Sequence, residues 1–319
     1  MILVTGAAGF VGRALTARLA RQFRVRAATH AAMFEWSGSN VETVHGKALS
    51  PTEDWSGALS GISTMLHCAA RVHMMRESDS EILAAYRKIN VEGTLNLARQ
   101  AVAAGVRRFI FLSSIKVNGE CTLPGQPFTA DQAPAPSDPY GISKMEAEQG
   151  LRVLARDSGL EVVIVRPPLV YGPGVKANFL TLMRWLARGW PFPLGGVTQN
   201  RRSLIALDNL IDLLVRCIDH PAAANRTFLA SDGEDLSTAA LLERLGAALG
   251  RPARLISVPV GWLDVAAAGL GRTGQLRRLC QSLQVDMRQT QAVLGWTPPL
   301  GVDEGLRRAA AYWLDSRRP

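Results

Sequence analysis

The stretch from Val4 to Gly12, "VTGAAGFVG", decides the fold of this chain. It places Gly6, Gly9 and Gly12 at three-residue intervals, after the apolar run "MILVT" and before "FVGRALTARLARQF", whose apolar residues recur at helical spacing. Glycines at such a strand-to-helix turn allow a tight backbone and let amide groups at the helix N-terminus approach a pyrophosphate. In this context the pattern predicts a dinucleotide-binding βα unit.

Short apolar runs alternate with helical patterns beyond this turn. The predicted strands are "RVRAAT" (24–29), "VETVHG" (41–46), "STMLHCAA" (63–70), "RRFIFLSS" (107–114) and "EVVIVRPP" (161–168), and a long helical segment covers 81–104. Strands separated by helices are typical of βαβ units around a parallel sheet. We therefore predict an α/β Rossmann fold with a doubly wound parallel sheet.

The alternation weakens after Tyr171, where proline and glycine become frequent, and helical patterns dominate from Leu236 onward. We predict a dinucleotide-binding domain over 1–170. Residues 171–319 are predicted to form a smaller, mixed α/β substrate-binding region, partly interwoven with the first domain.

The composition limits the possible partners. The formal net charge is +9 and the pI about 9.9, which favours anionic ligands. The positive charges are dispersed without interleaved aromatic residues, so we predict no nucleic-acid partner. Four cysteines without C-x-x-C spacing suggest no metal site and a reducing compartment, and neither a signal peptide nor a transmembrane segment is recognisable, so we expect a cytoplasmic protein.

A second informative stretch is "SDPYGISKMEAEQ" (137–149). Pro139 is suited to the first turn of a helix, and a helix that begins there places Tyr140 and Lys144 on one face. An ammonium group beside a phenol lowers the phenol pKa from about 10, which would prepare Tyr140 to exchange a proton near neutral pH. A surface tyrosine beside a solvated lysine is the alternative for this pattern alone.

Seven motifs together identify a family. They are "TGAAGFVG" (5–12), "HCAARVH" (67–73), "NVEGTLNL" (90–97), "FIFLSSIKVNG" (109–119), "YGISK" (140–144), "RPPLVYGPG" (166–174) and "NRRSLIALDNL" (200–210). In this order they resemble the extended short-chain dehydrogenase/reductase family over nearly the whole chain. The resemblance implies a Rossmann-fold enzyme that uses a nicotinamide dinucleotide.

The resemblance also implies roles for individual residues. Tyr140 would be the general acid/base, Lys144 would hold the nicotinamide ribose and lower the Tyr140 pKa, and Ser114, with Ser113 as the neighbour to be distinguished from it, would hydrogen-bond the reacting oxygen. Asn90 would support the backbone of the active site. The implied cofactor-binding residues are Gly6, Gly9, Phe10, Val11, Gly12, Ala69, Asn90 and Lys144.

The adenosine pocket departs from the family pattern. The segment "RAATHAAM" (26–33) lacks the acidic residue that would bind the adenosine ribose and disfavour a 2′-phosphate, and Lys47 stands where an aspartate is common. Arg13 and Arg26 are candidates for contacting a 2′-phosphate. The cofactor is therefore predicted as NAD(H) or NADP(H).

The substrate is predicted from the same resemblance. Ile115 and Lys116 replace the Asp-Glu pair of sugar 4,6-dehydratases, so we expect no dehydratase. Arg202 aligns with the arginine that pairs with the diphosphate of nucleotide sugars, a suitable use of a planar guanidinium group. Further candidate substrate-binding residues are Arg277 and Arg278 for the diphosphate, and Lys176 and Asn178 for the nucleotide or sugar.

The predicted substrate is a nucleotide-diphosphate sugar, with UDP-sugars favoured. "SSIKVNGE" (113–120) and "YGPGVKANFL" (171–180) resemble the 4-keto reductases of surface-polysaccharide synthesis that make UDP-N-acetylquinovosamine. The leading hypothesis is therefore an NAD(P)-dependent oxidoreductase acting at sugar C4. The alternatives are a UDP-hexose 4-epimerase with tightly bound NAD and, in another class, a non-catalytic dinucleotide-binding sensor. The family also implies a homodimer paired through the helices of 81–104 and 140–157.

Overall fold

The computed structural model describes residues 1–30, 36, 38–72, 79–259, 261–262 and 273–317. The strands are β1 (Ile2–Thr5), β2 (Val25–Ala28), β3 (Val41–Val44), β4 (Thr64–His67), β5 (Arg108–Leu112), β6 (Glu161–Arg166), β7 (Leu169–Tyr171), β8 (Arg202–Ala206), β9 (Arg226–Leu229) and β10 (Asp235–Leu236). The helices are α1 (Phe10–Leu19), α2 (Ser56–Leu59), α3 (Asp79–Tyr86), α4 (Thr94–Ala103), α5 (Pro139–Ser158), α6 (Ala177–Ala187), α7 (Leu207–Asp219), α8 (Thr238–Ala248), α9 (Thr273–Cys280), α10 (Arg288–Leu294) and α11 (Val302–Asp315).

The main sheet has seven strands in the order β3-β2-β1-β4-β5-β6-β9, and all neighbouring strands are parallel. Ile2 of β1 is in register with Val25 on one side and with Thr64 on the other. From β1 the chain first adds β2 and β3 on one side of the sheet, and then crosses to the other side to add β4. The connections after β1 and β4 therefore lead away from each other, which opens a crevice at the carboxyl ends of these two strands. The predicted Rossmann fold is confirmed.

Burial on both sides of the sheet explains its apolar strands. Val4 packs on the side of α1 and α7, with Leu15 and Leu210, whereas Leu3 packs on the side of α4 and α5, with Leu97. Successive residues of a strand point to opposite faces, so a strand covered by helices on both sides needs apolar residues at every position. β1 is completely buried for this reason.

The long helical segment is confirmed, with one irregularity. Between α3 and α4 the helix contains a π-helical stretch, Arg87–Gly93, and the segment ends at Gly105 in a left-handed conformation with φ +75°. π-Helical turns are frequent at functional sites. The predicted helix behind Pro139 is also confirmed: Asp138 caps α5 by accepting a hydrogen bond from the Gly141 backbone N–H at 2.7 Å.

The C-terminal part contributes to both sheets. A three-stranded sheet has the order β10-β8-β7, but β9 returns to the main sheet beside β6, and α7 packs against α1. The main sheet therefore extends beyond residues 1–170, which fits the predicted interweaving, while the boundary near residue 170 stays a prediction. No helix in the described part of the chain combines the length and apolarity that crossing a membrane requires.

Candidate active site

A cavity of about 720 Å³ opens at the crevice between β1 and β4. Its lining includes nine of the residues predicted from the sequence: Gly6, Gly9, Phe10, Val11, Gly12, Ala69, Ser114, Tyr140 and Lys144. These residues come from the turn after β1, the loop after β4, the end of β5 and the first turns of α5. The fold thus brings the predicted cofactor-binding turn and the predicted catalytic residues to one cavity.

The glycine turn has the geometry of a dinucleotide cradle. Gly6 has φ +67°, and a Cβ atom there would lie 2.7 Å from the Ala69 backbone nitrogen. A Cβ atom on Gly12 would lie 2.2 Å from the Gly6 carbonyl oxygen, and neither backbone contact leaves room for a side chain. The turn therefore packs tightly against the loop after β4 and presents the amides at the start of α1 to the cavity. The residues present fit a bound dinucleotide.

The structure distinguishes the two serines at the end of β5. Ser113 is buried, and its hydroxyl donates a hydrogen bond to Glu148 Oε1 at 2.5 Å. Ser114 is half-buried at the cavity wall, where its Oγ accepts a 3.3 Å hydrogen bond from the backbone N–H of Lys116. Ser114 is therefore the serine with a hydroxyl available beside Tyr140.

The predicted lowering of the Tyr140 pKa is wrong for the protein by itself. Burial raises the pKa of Tyr140, and the negative charge of Asp138 and the neighbouring phenol of Tyr86 raise it further. The Tyr86 and Tyr140 rings meet edge to face, with centroids 6.0 Å apart. The prediction from the sequence took into account only the Lys144 cation one turn away, and not the carboxylate of the capping residue Asp138 two positions before the tyrosine.

Lys144 is the buried cation of this cavity. Burial lowers the pKa of Lys144 to about 8, while the nearby Glu148 and Cys68 act in the opposite direction. Its ammonium lies over the Phe111 ring, 4.2 Å from the centroid, which is a favourable cation–π contact. Lys144 can therefore be charged at neutral pH despite its burial.

Asn90 supports the loop behind the cavity. Its side-chain oxygen accepts a hydrogen bond from the Arg71 backbone N–H at 2.8 Å, and its amide group donates to the Arg71 carbonyl and to Ser143 Oγ, both at 3.1 Å. Asn90 is buried in the π-helical stretch and is absent from the cavity lining. The supporting role implied by the family resemblance fits these contacts, whereas a direct contact with the cofactor stays a prediction.

A buried polar network lies next to the candidate catalytic residue Lys144, and the sequence did not lead us to predict it. Glu148 and Arg166 form a two-pronged ion pair, with N–O distances of 2.9 and 2.5 Å, and both side chains are buried. Arg166 also donates to Asn118 Oδ1 at 2.9 Å, and Glu148 accepts from Ser113. Glu148 lies one helical turn after Lys144, a spacing that signals a neighbour on the same face.

A buried histidine joins β1 to α4 at the floor of the site. Its ring nitrogens hydrogen-bond to Thr5 Oγ1 at 2.6 Å and Thr94 Oγ1 at 3.0 Å. Burial lowers the pKa of His67 to about 3, with a smaller contribution from Lys144. His67 is therefore a neutral packing residue near physiological pH, and it does not supply a proton to the cavity.

At the adenosine end of the cavity the structure corrects one prediction. Arg26 is buried and donates to the carbonyls of Ala58 and Ser60 and to Glu42, so its guanidinium is unavailable for a 2′-phosphate. Lys47 does line the cavity, where its ammonium pairs with Glu53 at 3.0 Å. Arg13 is exposed and absent from the cavity lining.

The predicted substrate-binding residues do not all converge. Arg202 and Arg278 are neighbours: burial lowers the pKa of Arg202, and the charge of Arg278 adds to this effect. Arg278 lies 3.8 Å from Glu120, which follows the end of β5. Lys176 and Asn178, at the start of α6, are exposed and absent from the cavity lining, so they lie apart from the candidate catalytic residues.

Comparisons with known proteins define the class. The chain matches the model of the NAD dependent epimerase/dehydratase family over residues 2–230. A UDP-glucose 4-epimerase of Vibrio cholerae is 45% identical over 317 residues, which cover 99% of this chain and 96% of the relative. The structure of MoeE5 in complex with UDP-glucose and NAD has a TM-score of 0.79 and 26% identity, with 99% of both chains covered.

A UDP-glucose 4-epimerase from Thermotoga maritima, solved with UDP-glucose, has the same fold, with a TM-score of 0.78, 22% identity and 99% of both chains covered. The chain therefore belongs to the NAD dependent epimerase/dehydratase family, as the seven motifs predict. It is an enzyme of this family, and its cofactor is NAD(H) or NADP(H). Within the described residues no cluster of histidine, cysteine and acidic side chains has the geometry of a metal site.

Proposed function

We propose that this protein transfers hydride at C4 of a UDP-hexose, and that it does so as an NAD-dependent 4-epimerase. The observation that carries the proposal is the convergence of Ser114, Tyr140 and Lys144 with the glycine turn on one cavity. The relative at 45% identity is a UDP-glucose 4-epimerase, which favours the epimerase over the reductase predicted first. The bound dinucleotide would supply or accept the hydride.

The chain's own residues would handle the proton and the reacting oxygen. Tyr140 would take the C4 hydroxyl proton as the sugar is oxidised and return it as the ketone is reduced. Ser114 would hydrogen-bond the same oxygen, since its hydroxyl lies at the cavity wall. The positive charge of Lys144 would favour the ionised form of Tyr140 and so oppose the effect of burial.

At the distal end of the substrate, Arg202 and Arg278 would pair with the diphosphate. Burial lowers the pKa of Arg202, and the positive charge of Arg278 lowers it further, so the two cations disfavour each other in the protein alone. A doubly anionic group between them would relieve that repulsion. Lys176 and Asn178 would reach the substrate only if the start of α6 moved toward the cavity.

A 4-keto reductase acting on a UDP-sugar is the second candidate. It uses the same three residues for half of the cycle and must exchange its cofactor after each turnover. The specific observation in its favour is the stretch "SSIKVNGE" (113–120), which resembles such reductases and whose first two residues, Ser113 and Ser114, line the cavity.

The test is a Tyr140→Phe variant assayed with UDP-glucose and UDP-galactose. We expect turnover to fall by at least about a hundredfold, because the proton relay is lost, while NAD affinity stays nearly unchanged. Tyr86→Phe is the matched control, since it removes a phenol 6.0 Å away without removing the proton carrier. Persistent epimerisation by the Tyr140→Phe protein would contradict the proposal.

The same preparations distinguish the two candidates. Protein is denatured directly after purification, and any released dinucleotide is identified by chromatography. Tightly held NAD in near-equal amount, with interconversion of the two UDP-hexoses, is the epimerase result. The reductase result is protein that purifies without dinucleotide and oxidises added NADH or NADPH only when a 4-keto sugar is present. This result would contradict the epimerase proposal and support the reductase.

A further inference from the structure

A second depression lies on the C-terminal part of the molecule, apart from the candidate active site. It has a volume of about 590 Å³ and lies between α6 and α11. Its charged lining residues are Lys176, Arg184, Arg188 and Arg317, and none of the described lining residues is acidic. Four cations therefore line one depression, with no carboxylate among its described lining residues.

Among the residues that the structure describes, these four cations have no acidic partner. None of them forms a salt bridge with any residue in the described ranges. Some arginines of the C-terminal part do have acidic partners: Arg244 pairs with Glu234 at 2.6 Å, and Arg307 pairs with Glu304 at 2.7 Å. The four cations at the depression differ from these arginines because no carboxylate among the described residues pairs with them.

The sequence explains how the imbalance arises. Between Glu161 and Asp208 the chain has no acidic residue, and this interval contains α6. A second acid-free interval lies between Glu243 and Asp264. The two intervals meet in space, because the backbones at Phe192 and Ile256 hydrogen-bond to each other at 2.8 Å. They form one surface with net positive charge.

Tryptophan side chains are exposed on the same surface. Trp185 is 36% exposed, Trp190 47% and Trp262 75%. The Trp185 and Trp190 rings are perpendicular, with centroids 5.3 Å apart, and the Arg188 guanidinium lies 4.9 Å from the Trp190 ring centroid. Arg188, which lines the depression, is therefore in contact with an exposed indole ring that packs on a second one.

This combination identifies one kind of partner by its chemistry. Indole rings are enriched at the level of lipid headgroups because they have an apolar body and a polar N–H group. Clustered lysine and arginine side chains are attracted to anionic lipid headgroups. We propose that the surface formed by α6, the end of α11 and residues 251–259 with Trp262, called here the α6 surface, binds an anionic phospholipid bilayer.

In this arrangement lipid phosphates would occupy the depression, and the tryptophan rings would lie at the headgroup level. The catalytic residues lie in a separate cavity, so this association would place the enzyme at a membrane without being required for turnover. The proposal holds independently of which sugar the enzyme uses.

The test is sedimentation of the full chain with vesicles that contain phosphatidylglycerol and phosphatidylcholine, compared with phosphatidylcholine alone. We expect binding to the anionic vesicles that weakens as salt is raised. The double variant Arg184→Glu, Arg188→Glu should bind at least about tenfold more weakly, since two attractions become repulsions. The control Arg307→Glu, Arg308→Glu has the same net charge but changes cations that already have acidic partners, and it should keep most of the binding.

A second readout separates a bilayer from other anions. With phosphatidylglycerol vesicles that carry brominated acyl chains, tryptophan emission should be quenched, and Trp190→Ser should reduce the quenching. The proposal would be overturned if the protein bound neutral and anionic vesicles equally well, or if both double variants lost vesicle binding to the same extent. It would also be overturned if single-stranded DNA or inorganic phosphate at matched ionic strength displaced the protein completely while bromine caused no quenching. Turnover on soluble UDP-hexose serves as the folding control for every variant.

Discussion

Two regions of this molecule treat positive charge in opposite ways. Behind the candidate active site, Lys144 and Arg166 are fully buried, and Glu148 lies next to both of them. On the α6 surface, Arg184 and Arg188 are exposed and have no acidic partner in the described part of the chain. The first region pairs its buried arginine with a carboxylate inside the protein, whereas the second region leaves its exposed cations available to an external anion.

The difference follows from the cost of removing a charge from water. A buried cation without a partner is strongly destabilising, so a buried arginine persists only with an acceptor that is itself well held. An exposed cation keeps its hydration and costs the fold little, so its pairing is not enforced by folding. A buried balanced pair therefore indicates positioning, and an exposed unbalanced cluster indicates attraction of an external anion.

The largest effect is expected when the buried balance is broken. Glu148→Gln leaves the Arg166 guanidinium buried without a carboxylate, and we expect a loss of about 3–5 kcal/mol in the free energy of unfolding. The measurement is urea unfolding followed by circular dichroism. Glu146→Gln on the same helix is the matched control, because the exposed Arg87–Glu146 pair should contribute only about 0–1 kcal/mol. The double variant Glu148→Gln, Arg166→Met should recover part of the loss, because it removes the unpaired buried cation. An equal loss of stability in Glu148→Gln and Glu146→Gln would contradict the stabilising role of the buried pair.

The sequence predicts the first region only in part. The glycine turn and the Tyr140–Lys144 spacing are local patterns, and their positions follow from β1, α1 and α5 alone. Glu148 and Arg166 are eighteen residues apart on a helix and the next strand, so their pairing depends on how α5 packs against β6. The raised Tyr140 pKa depends in the same way on tertiary burial, which no local pattern encodes.

The second region is harder to predict for another reason. A family motif aligns Lys176 and Asn178 with substrate contacts, but the orientation of the start of α6 decides what they touch. The acid-free interval from 162 to 207 is visible in the sequence, whereas its meeting with residues 251–259 requires the contact between Phe192 and Ile256. Composition alone therefore indicates excess positive charge without its location.

An intermediate effect is expected from the pH dependence of Lys144. Burial lowers the pKa of Lys144 to about 8 in the folded protein, against 10.5 for an unperturbed lysine. Below about pH 8 both states are protonated, and the folded state bears the full cost of the buried charge. Between about pH 8 and 10.5 only the unfolded state keeps the proton, so stability rises with pH by up to about 3 kcal/mol from this group.

The measurement is the difference in the free energy of unfolding between the wild type and Lys144→Met across pH 7 to 10.5. The stability of the wild type relative to Lys144→Met should increase as the pH rises. A difference that does not vary with pH would contradict the lowered pKa of Lys144 in the folded protein. Lys88→Met is the matched control, because this exposed lysine on the neighbouring helical segment should give a difference that does not vary with pH.

The smallest effect is expected where charge is unbalanced and exposed. Arg184→Gln and Arg188→Gln remove cations that hold no acidic partner within the described residues, so folding should lose no ion pair, only the exposed contact of Arg188 with the Trp190 ring. We expect the free energy of unfolding to change by less than about 0.5 kcal/mol for each variant, and the Arg184→Gln change to be toward higher stability because mutual repulsion falls. Urea unfolding at low and high salt measures this, and added salt should narrow the difference from the wild type. A loss comparable to that of Glu148→Gln would mean that these arginines serve the fold, and the contrast between the two regions would fail.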